Sequence, residues 1–109
     1  MMAKNFRFDT KDGVGTITLD RPDTLNSLTF ELYAELRDFI TTLEFRRDVR
    51  VVMITGEGRG FCSGGDVENI IGKLFSRDSE GLLEFTRMTG AVVANLRKLR
   101  KPVVAAVNG

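Results

Sequence analysis

Residues 51–66 read Val51-Val52-Met53-Ile54-Thr55-Gly56-Glu57-Gly58-Arg59-Gly60-Phe61-Cys62-Ser63-Gly64-Gly65-Asp66, and two kinds of chain meet in them. The opening apolar run suits a strand covered on both faces, as in a parallel sheet. Five of the ten positions 56–65 are glycine, which ends the strand and opens a loop. A helix-like stretch comes next, at 67–75. Adjacent Gly64 and Gly65 let the backbone turn sharply, take angles closed to other residues and approach a ligand closely. Asp66 is a good N-cap for that helical stretch, so the amides near Gly65 lie at the positive end of a helix. Such a place suits an anion or an oxygen on which negative charge develops. A plain glycine-rich strand-to-helix turn accounts for the same residues.

Other readings of this stretch fail on spacing. A dinucleotide fingerprint needs glycine three positions after Gly58, where Phe61 stands, and no helix opens directly at the loop. A P-loop is excluded because Gly72-Lys73 lacks both the upstream glycine and a following Ser or Thr. Ser63 is not in a Gly-x-Ser-x-Gly elbow. Cys62, beside Phe61, reads as a small packing residue.

Outward from this centre the pattern is regular. Phe6 and Phe8 alternate with polar residues, Lys11-Asp12-Gly13 reads as a turn, and Ile17 and Leu19 alternate with Thr16 and Thr18, so a hairpin is expected near 5–19. Arg21-Pro22-Asp23 breaks the second strand. Leu32, Tyr33, Leu36, Phe39, Ile40 and Leu43 recur at helical spacing and predict a helix near 29–46. A second helix is expected near 80–99 with Leu83, Val92, Val93, Leu96 and Leu99 inward. Buried strands are expected near 50–55 and 102–107, side by side and parallel, joined by a right-handed crossover. Arg97, Lys98, Arg100 and Lys101 crowd the end of the second helix, where the dipole favours cations; a short basic run is weak evidence for a nucleic-acid surface.

Composition narrows the chemistry. The 109 residues fit one domain, and eight Phe with abundant aliphatics supply a core. A net charge of +1 gives no reason to expect nucleic acid or membrane as a partner. No histidine is present, which removes Ser-His and Cys-His nucleophile pairs and the usual first ligand of a catalytic zinc. Proton transfer within this chain would fall to carboxylates, lysines or the lone Tyr33. A single cysteine forms no internal disulfide, no apolar run is long enough to span a bilayer, and the N-terminus lacks a signal-peptide core, so a cytoplasmic location without a metal site is expected.

Four blocks in order carry a resemblance. Asp20-Arg21-Pro22 with Leu25-Asn26-Ser27-Leu28 precedes a long helix; then come residues 51–56, Gly60-Phe61-Cys62-Ser63-Gly64-Gly65-Asp66, and Lys101-Pro102-Val103-Val104-Ala105-Ala106-Val107-Asn108-Gly109. Together they span nearly the whole chain and resemble the opening of the crotonase superfamily of enoyl-CoA hydratases and isomerases. The resemblance implies an α/β fold, a spiral of ββα units, of which residues 1–109 would be the N-terminal part of a single domain, cut after Asn108-Gly109. It implies an acyl-CoA thioester as substrate, no other cofactor, and a homo-oligomer, a trimer or dimer of trimers. In that family two backbone N–H groups hold the thioester oxygen, and one of them carries over to Gly65. Residues 25–28 would line the CoA pocket through their backbone, notably Leu25, Ser27 and Leu28, with Ser63, Gly64, Asp66 and Val67 beside the pantetheine arm or acyl group. The second donor and the hydratase carboxylates lie, in the family, beyond the Asn-Gly and carry over to no residue here.

Two departures bear on the phosphates of CoA: Glu68 stands where hydratases often have lysine, and Asp23-Thr24 precede the Asn-containing loop where many relatives have lysine. The Cys-Ser-Gly-Gly-Asp wording also resembles dihydroxynaphthoyl-CoA synthases, and Gly-Gly-Asp hydroxyisobutyryl-CoA hydrolases. The resemblance therefore implies a thioester enolate without fixing the reaction. The opposing reading is an inactive module that oligomerises or binds a complementing C-terminal portion.

Overall fold

Asp12 and Gly13 both take positive φ, 52° and 84°, as a two-residue hairpin turn matched to strand twist requires. They join strand β1 (Phe6–Lys11) to antiparallel β2 (Val14–Leu19), in register from Lys11 opposite Val14 to Phe6 opposite Leu19. The computed structural model describes residues 5–66, 69, 70, 72, 76 and 78–109. Its further elements are helix α1 (Phe30–Thr42), strand β3 (Val51–Gly56), helix α2 (Ser79–Lys98) and strand β4 (Val103–Ala105), with short 3-10 turns at Pro22–Thr24 and Leu43–Phe45. The expected helix at 67–75 falls largely outside the described residues.

The sheet runs β1-β2-β3-β4, and after the hairpin every pairing is parallel. Val14–Leu19 pairs residue for residue with Val51–Gly56, so the two strands end together at Leu19 and Gly56. The expected parallel neighbours at 50–55 and 102–107 are β3 and β4.

Helix α1 begins where Thr29 Oγ1 accepts from the amide of Leu32 at 3.1 Å, an N-cap bond. Its buried stripe, Leu32, Leu36 and Ile40, meets Phe6, Ile17, Leu19 and Val52 of the sheet, and Leu43 and Val49 close the core below it. Phe39 lies against Phe6 and Phe8, with ring centroids 5.2 and 4.8 Å apart. Lys101 Nζ donates to the carbonyls of Leu43 and Arg46, satisfying groups the helix end leaves without partners.

Helix α2 packs on α1 through Val92, Leu96 and Leu99, and through Phe85, whose ring sits 4.5 Å from Phe30 and 6.0 Å from Tyr33. Leu83 and Val93, expected inward, are 48% and 59% exposed. Helical phase explains both: nine residues from Leu83 to Val92 is two and a half turns at about 3.6 residues per turn, so they face opposite ways, and Val93 is one step around from Val92. Phe85 takes the place assigned to Leu83.

The expected burial of the two apolar strands also needs correction. In β3 only Val52 and Gly56 are buried, and β4 is exposed along its length, with Val104 51% and nearby Val107 68% exposed. An apolar run shows that a strand tolerates cover on both faces; here the core takes Val52 fully and leaves Val51, Met53 and Ile54 half-buried. Replacing core Ile40 by Ala should cost about 2–5 kcal/mol in urea denaturation, whereas Phe45→Ala, at a position 88% exposed, should stay within about 0.5 kcal/mol. Similar losses at both would show that the core lies elsewhere.

Candidate active site

The loop after β2 is built around two consecutive non-glycine residues with left-handed backbone, Leu25 (φ 53°) and Asn26 (φ 58°). Asparagine enters that region more readily than most residues. The Asn26 side chain is fully buried and uses its bonding groups: Oδ1 accepts from Arg21 N at 2.7 Å, and Nδ2 donates to the carbonyls of Glu57 and Gly60 at 3.0 and 2.8 Å. It thereby ties the loop after β2 to the loop after β3.

Downstream the same two segments are also laced by main chain. Ser63 N donates to Leu25 O at 2.9 Å, Leu28 N to Gly64 O at 2.8 Å, and Asp66 N to Leu28 O at 2.8 Å. Leu28 and Gly65 thus form a one-residue parallel bridge. In such a bridge the central residue's own N–H and C=O point away from the partner strand. Among the described residues the Gly65 N–H has no backbone acceptor. Asp66 behaves as an N-cap: Oδ1 accepts from Asn69 N at 2.9 Å, and its carbonyl accepts from Ile70 N at 2.7 Å.

The positive φ belongs to Gly64, at 99°, and not to Gly65. A Cβ on Gly65 would make an ordinary 3.7 Å contact with Ile70, whereas one on Gly64 would meet only backbone strain. The conformational demand expected of Gly65 therefore falls one residue earlier, and what Gly65 offers is its N–H.

Arg21, Ser27 and Asp66 gather beside the bridge. Arg21 Nη1 donates to Ser27 O and to Ser27 Oγ, Ser27 Oγ donates to Asp66 Oδ2 at 3.1 Å, and Arg21 Nη2 lies 3.7 Å from that oxygen. The Asn69 amide first, then the Ser27 hydroxyl and the Arg21 charge, hold the Asp66 carboxyl below its ordinary range. Ser63 Oγ donates to Thr24 O at 2.9 Å and is engaged in loop structure. Cys62 is half-buried against the core. Leu25, Gly60, Phe61, Cys62, Ser63 and Gly109 line a cleft of about 260 Å³ next to the bridge. Val67 lies outside the described residues. Burial, and to a lesser degree Cys62, raise the Tyr33 phenol further above its ordinary value, which takes it away from proton exchange at neutral pH. A larger cleft of about 490 Å³ between α1 and α2, lined by Phe30, Phe85 and Met88, includes none of residues 63–66.

Two residues whose side chains sequence reasoning gave no role are structurally central. Asn26 is one. Asn108 is the other, its Nδ2 donating to Gly56 O and Gly58 O at 2.8 and 3.1 Å, so amides on both sides hold the glycine loop. Their signal was an asparagine beside each glycine-rich or turn block.

The depressed Asp66 carboxyl has a signed consequence. The unfolded chain has the ordinary value of about 3.9, so between it and the folded value the unfolded state binds more protons. The contribution is fully present above about pH 5 and is lost as pH falls through the folded value. Urea midpoints from pH 7 to 2 should show Asp66→Asn less stable than the parent near neutrality, the gap closing in acid. A gap independent of pH would mean that the carboxylate charge does not matter here.

The enoyl-CoA hydratase/isomerase family model matches residues 14–109. Over 105 residues the chain is 37% identical to the "Probable enoyl-CoA hydratase echA12" of Mycobacterium bovis, covering 88% of this chain and 35% of that protein. It is also 37% identical over 97 residues to the 1,2-epoxyphenylacetyl-CoA isomerase of Escherichia coli, covering 89% and 37%. Among solved structures it is similar to the "putative enoyl-CoA hydratase" of Streptomyces coelicolor A3(2), with a TM-score of 0.91 and 55% identity over 97% of this chain and 38% of that one. The chain thus spans little more than a third of the length of these relatives. With the family's sequence pattern and its fold both present, the chain belongs to the enoyl-CoA hydratase/isomerase family.

Proposed function

We propose that the complete protein carrying these residues binds an acyl-CoA thioester and stabilises its enolate, with the Gly65 N–H as one of the donors to the thioester oxygen. The observation that carries this reading is the Leu28–Gly65 bridge, which fixes a main-chain N–H without using it. A donor held in place before charge develops costs no reorganisation when the reaction occurs, which is the usual source of such catalysis. Leu25, Ser27, Leu28, Ser63, Gly64, Asp66 and Val67 border the thioester and the arm that carries it in this proposal. The cleft beside Leu25 and Ser63 supports that placement.

The reaction is hydration or isomerisation of an enoyl-CoA. In hydration, water gives one proton to a base as its oxygen bonds to the β-carbon, the π electrons move onto the thioester oxygen as an enolate, and the α-carbon then takes up a proton from an acid. The carboxylate next to Gly65, Asp66, is committed to Asn69, Ser27 and Arg21, so proton transfer falls to groups beyond the Gly65 surroundings. Residues 1–109 act in this reading as the N-terminal part of the catalytic domain. The exposed apolar Leu82, Leu83, Val93, Val104 and Val107 support burial against further protein, within a domain or a homo-oligomer.

In the complete protein, Gly65→Pro deletes the N–H and should lower kcat on crotonyl-CoA about a hundred- to a thousand-fold, the usual cost of one lost oxyanion donor. The deleted N–H has no backbone partner among the described residues, so the fold should survive, as circular dichroism would check. Gly65→Ala keeps the N–H and should cost far less, and Ser63→Ala less again. A folded Gly65→Pro enzyme of normal activity, with Ser63→Ala the damaging change, would refute the assignment. Residues 1–109 produced alone should not hydrate crotonyl-CoA; turnover clearly above a blank would place the proton-transferring groups within them.

A further inference from the structure

The bridge fixes Gly65 relative to Leu28, and Leu28 is held on its C-terminal side by its packing on the core and by the start of α1 at Thr29. Of the main-chain bonds at Leu25 and Leu28, three run to residues 63–66 and the fourth, from Leu25 N to Pro22 O, stays within the loop, so none of them reaches the sheet. On its N-terminal side the Asn26 carboxamide supplies the connection to the sheet. It donates to the carbonyls of Glu57 and Gly60, and Glu57 in turn donates its amide to Leu19 O, at the point where β2 and β3 end side by side. The fit is close: a Cβ on Gly56 would lie 2.7 Å from Asn26 Nδ2. Asn26 is fully buried, so these bonds face no competition from water, unlike the partly exposed Arg21–Asp66 pair, with side-chain exposures of 23% and 20%.

We infer that Asn26 is a positioning residue for the reaction: its carboxamide anchors the loop carrying Leu28 to the ends of β2 and β3, and through Leu28 it sets the direction of the Gly65 N–H. The inference rests on the proposed role of Gly65. Asn26 does not touch the substrate in this scheme. Its effect therefore belongs to the enolate, whose charge is sensitive to donor placement, far more than to the neutral thioester.

The test uses the complete protein and two CoA probes. Butyryl-CoA presents a neutral thioester carbonyl, and acetoacetyl-CoA, at a pH where it ionises, presents an enolate. Asn26→Gly removes the carboxamide while leaving the left-handed backbone unstrained. It should weaken enolate binding about ten- to a hundred-fold, the scale of a donor misplaced by about 1 Å, and leave butyryl-CoA within about three-fold. The kcat on crotonyl-CoA should fall with the enolate affinity while KM changes little. Asn26→Asp keeps the acceptor for Arg21 N but turns both donors into an acceptor facing two carbonyls, and should be at least as damaging. Should Asn26→Gly not fold, Asn26→Ser, which keeps a small donor at the site, is read by the same two affinities. Parallel weakening of both probes, or no change in either, overturns the inference. Gly65→Pro serves as the control: if it too leaves the enolate preference intact, the role of Gly65 fails and takes the positioning inference with it.

Discussion

Everything at the site depends on the parallel pairing of β2 with β3 in one register. Because Leu19 and Gly56 are partners, the chain leaves both strands at the same level and on the same side of the sheet. Two loops that are far apart in sequence, residues 20–28 and 57–66, then start as neighbours. Ligand sites in sheets of this kind form where parallel strands end at their carboxyl ends. A slip of one residue would turn Ile17 and Val52 out of the core and separate the two exits, so the hydrophobic core and the site are fixed by one constraint.

Within that frame, buried polar groups must be satisfied. Glycines allow the 56–60 loop to turn tightly, and the tight turn leaves inward carbonyls that no helix or ladder accepts into its pattern. Two asparagine amides, from Asn26 and Asn108, meet them at Gly56, Glu57 and Gly60, and Asn108 also reaches the exposed Gly58 carbonyl. An unpaired buried carbonyl costs about 1–3 kcal/mol, so these side chains are as much part of the loop's construction as its glycines. The carboxamide suits the task because one NH₂ group serves two carbonyls at once.

The hairpin and α1 were legible in the sequence because each rests on local chemistry: Asp12-Gly13 demands its turn, and the Leu32–Leu36–Ile40 spacing demands its helix; β3 and β4 were legible as parallel neighbours, while the pairing of β2 with β3 was not. Helix α2 was legible as an element but not in its facing, since Leu83 and Val93 fit an apolar count yet not the phase set by Val92 and Phe85. The exposure of β4 was hidden, because apolar runs record what a strand can bury and say nothing of what covers it. At the site, the Gly64-Gly65 pair was visible, while the assignment of positive φ to the first of them required coordinates. Asn26 was passed over because its importance comes from partners 31 and 34 positions away, which no local pattern encodes.

The Leu28–Gly65 bridge is a contact of main chain with main chain, and the group it presents is itself main chain. Such an arrangement responds unequally to the two kinds of genetic change. Most point substitutions at positions 25, 27, 28 and 63 alter what surrounds the Gly65 N–H and leave that N–H where it is. A single-codon deletion between Gly60 and Gly65 is another matter, since it would bring a different amide opposite Leu28 and turn the Gly65 N–H toward the opposite side. Length, more than composition, is what this segment has to keep.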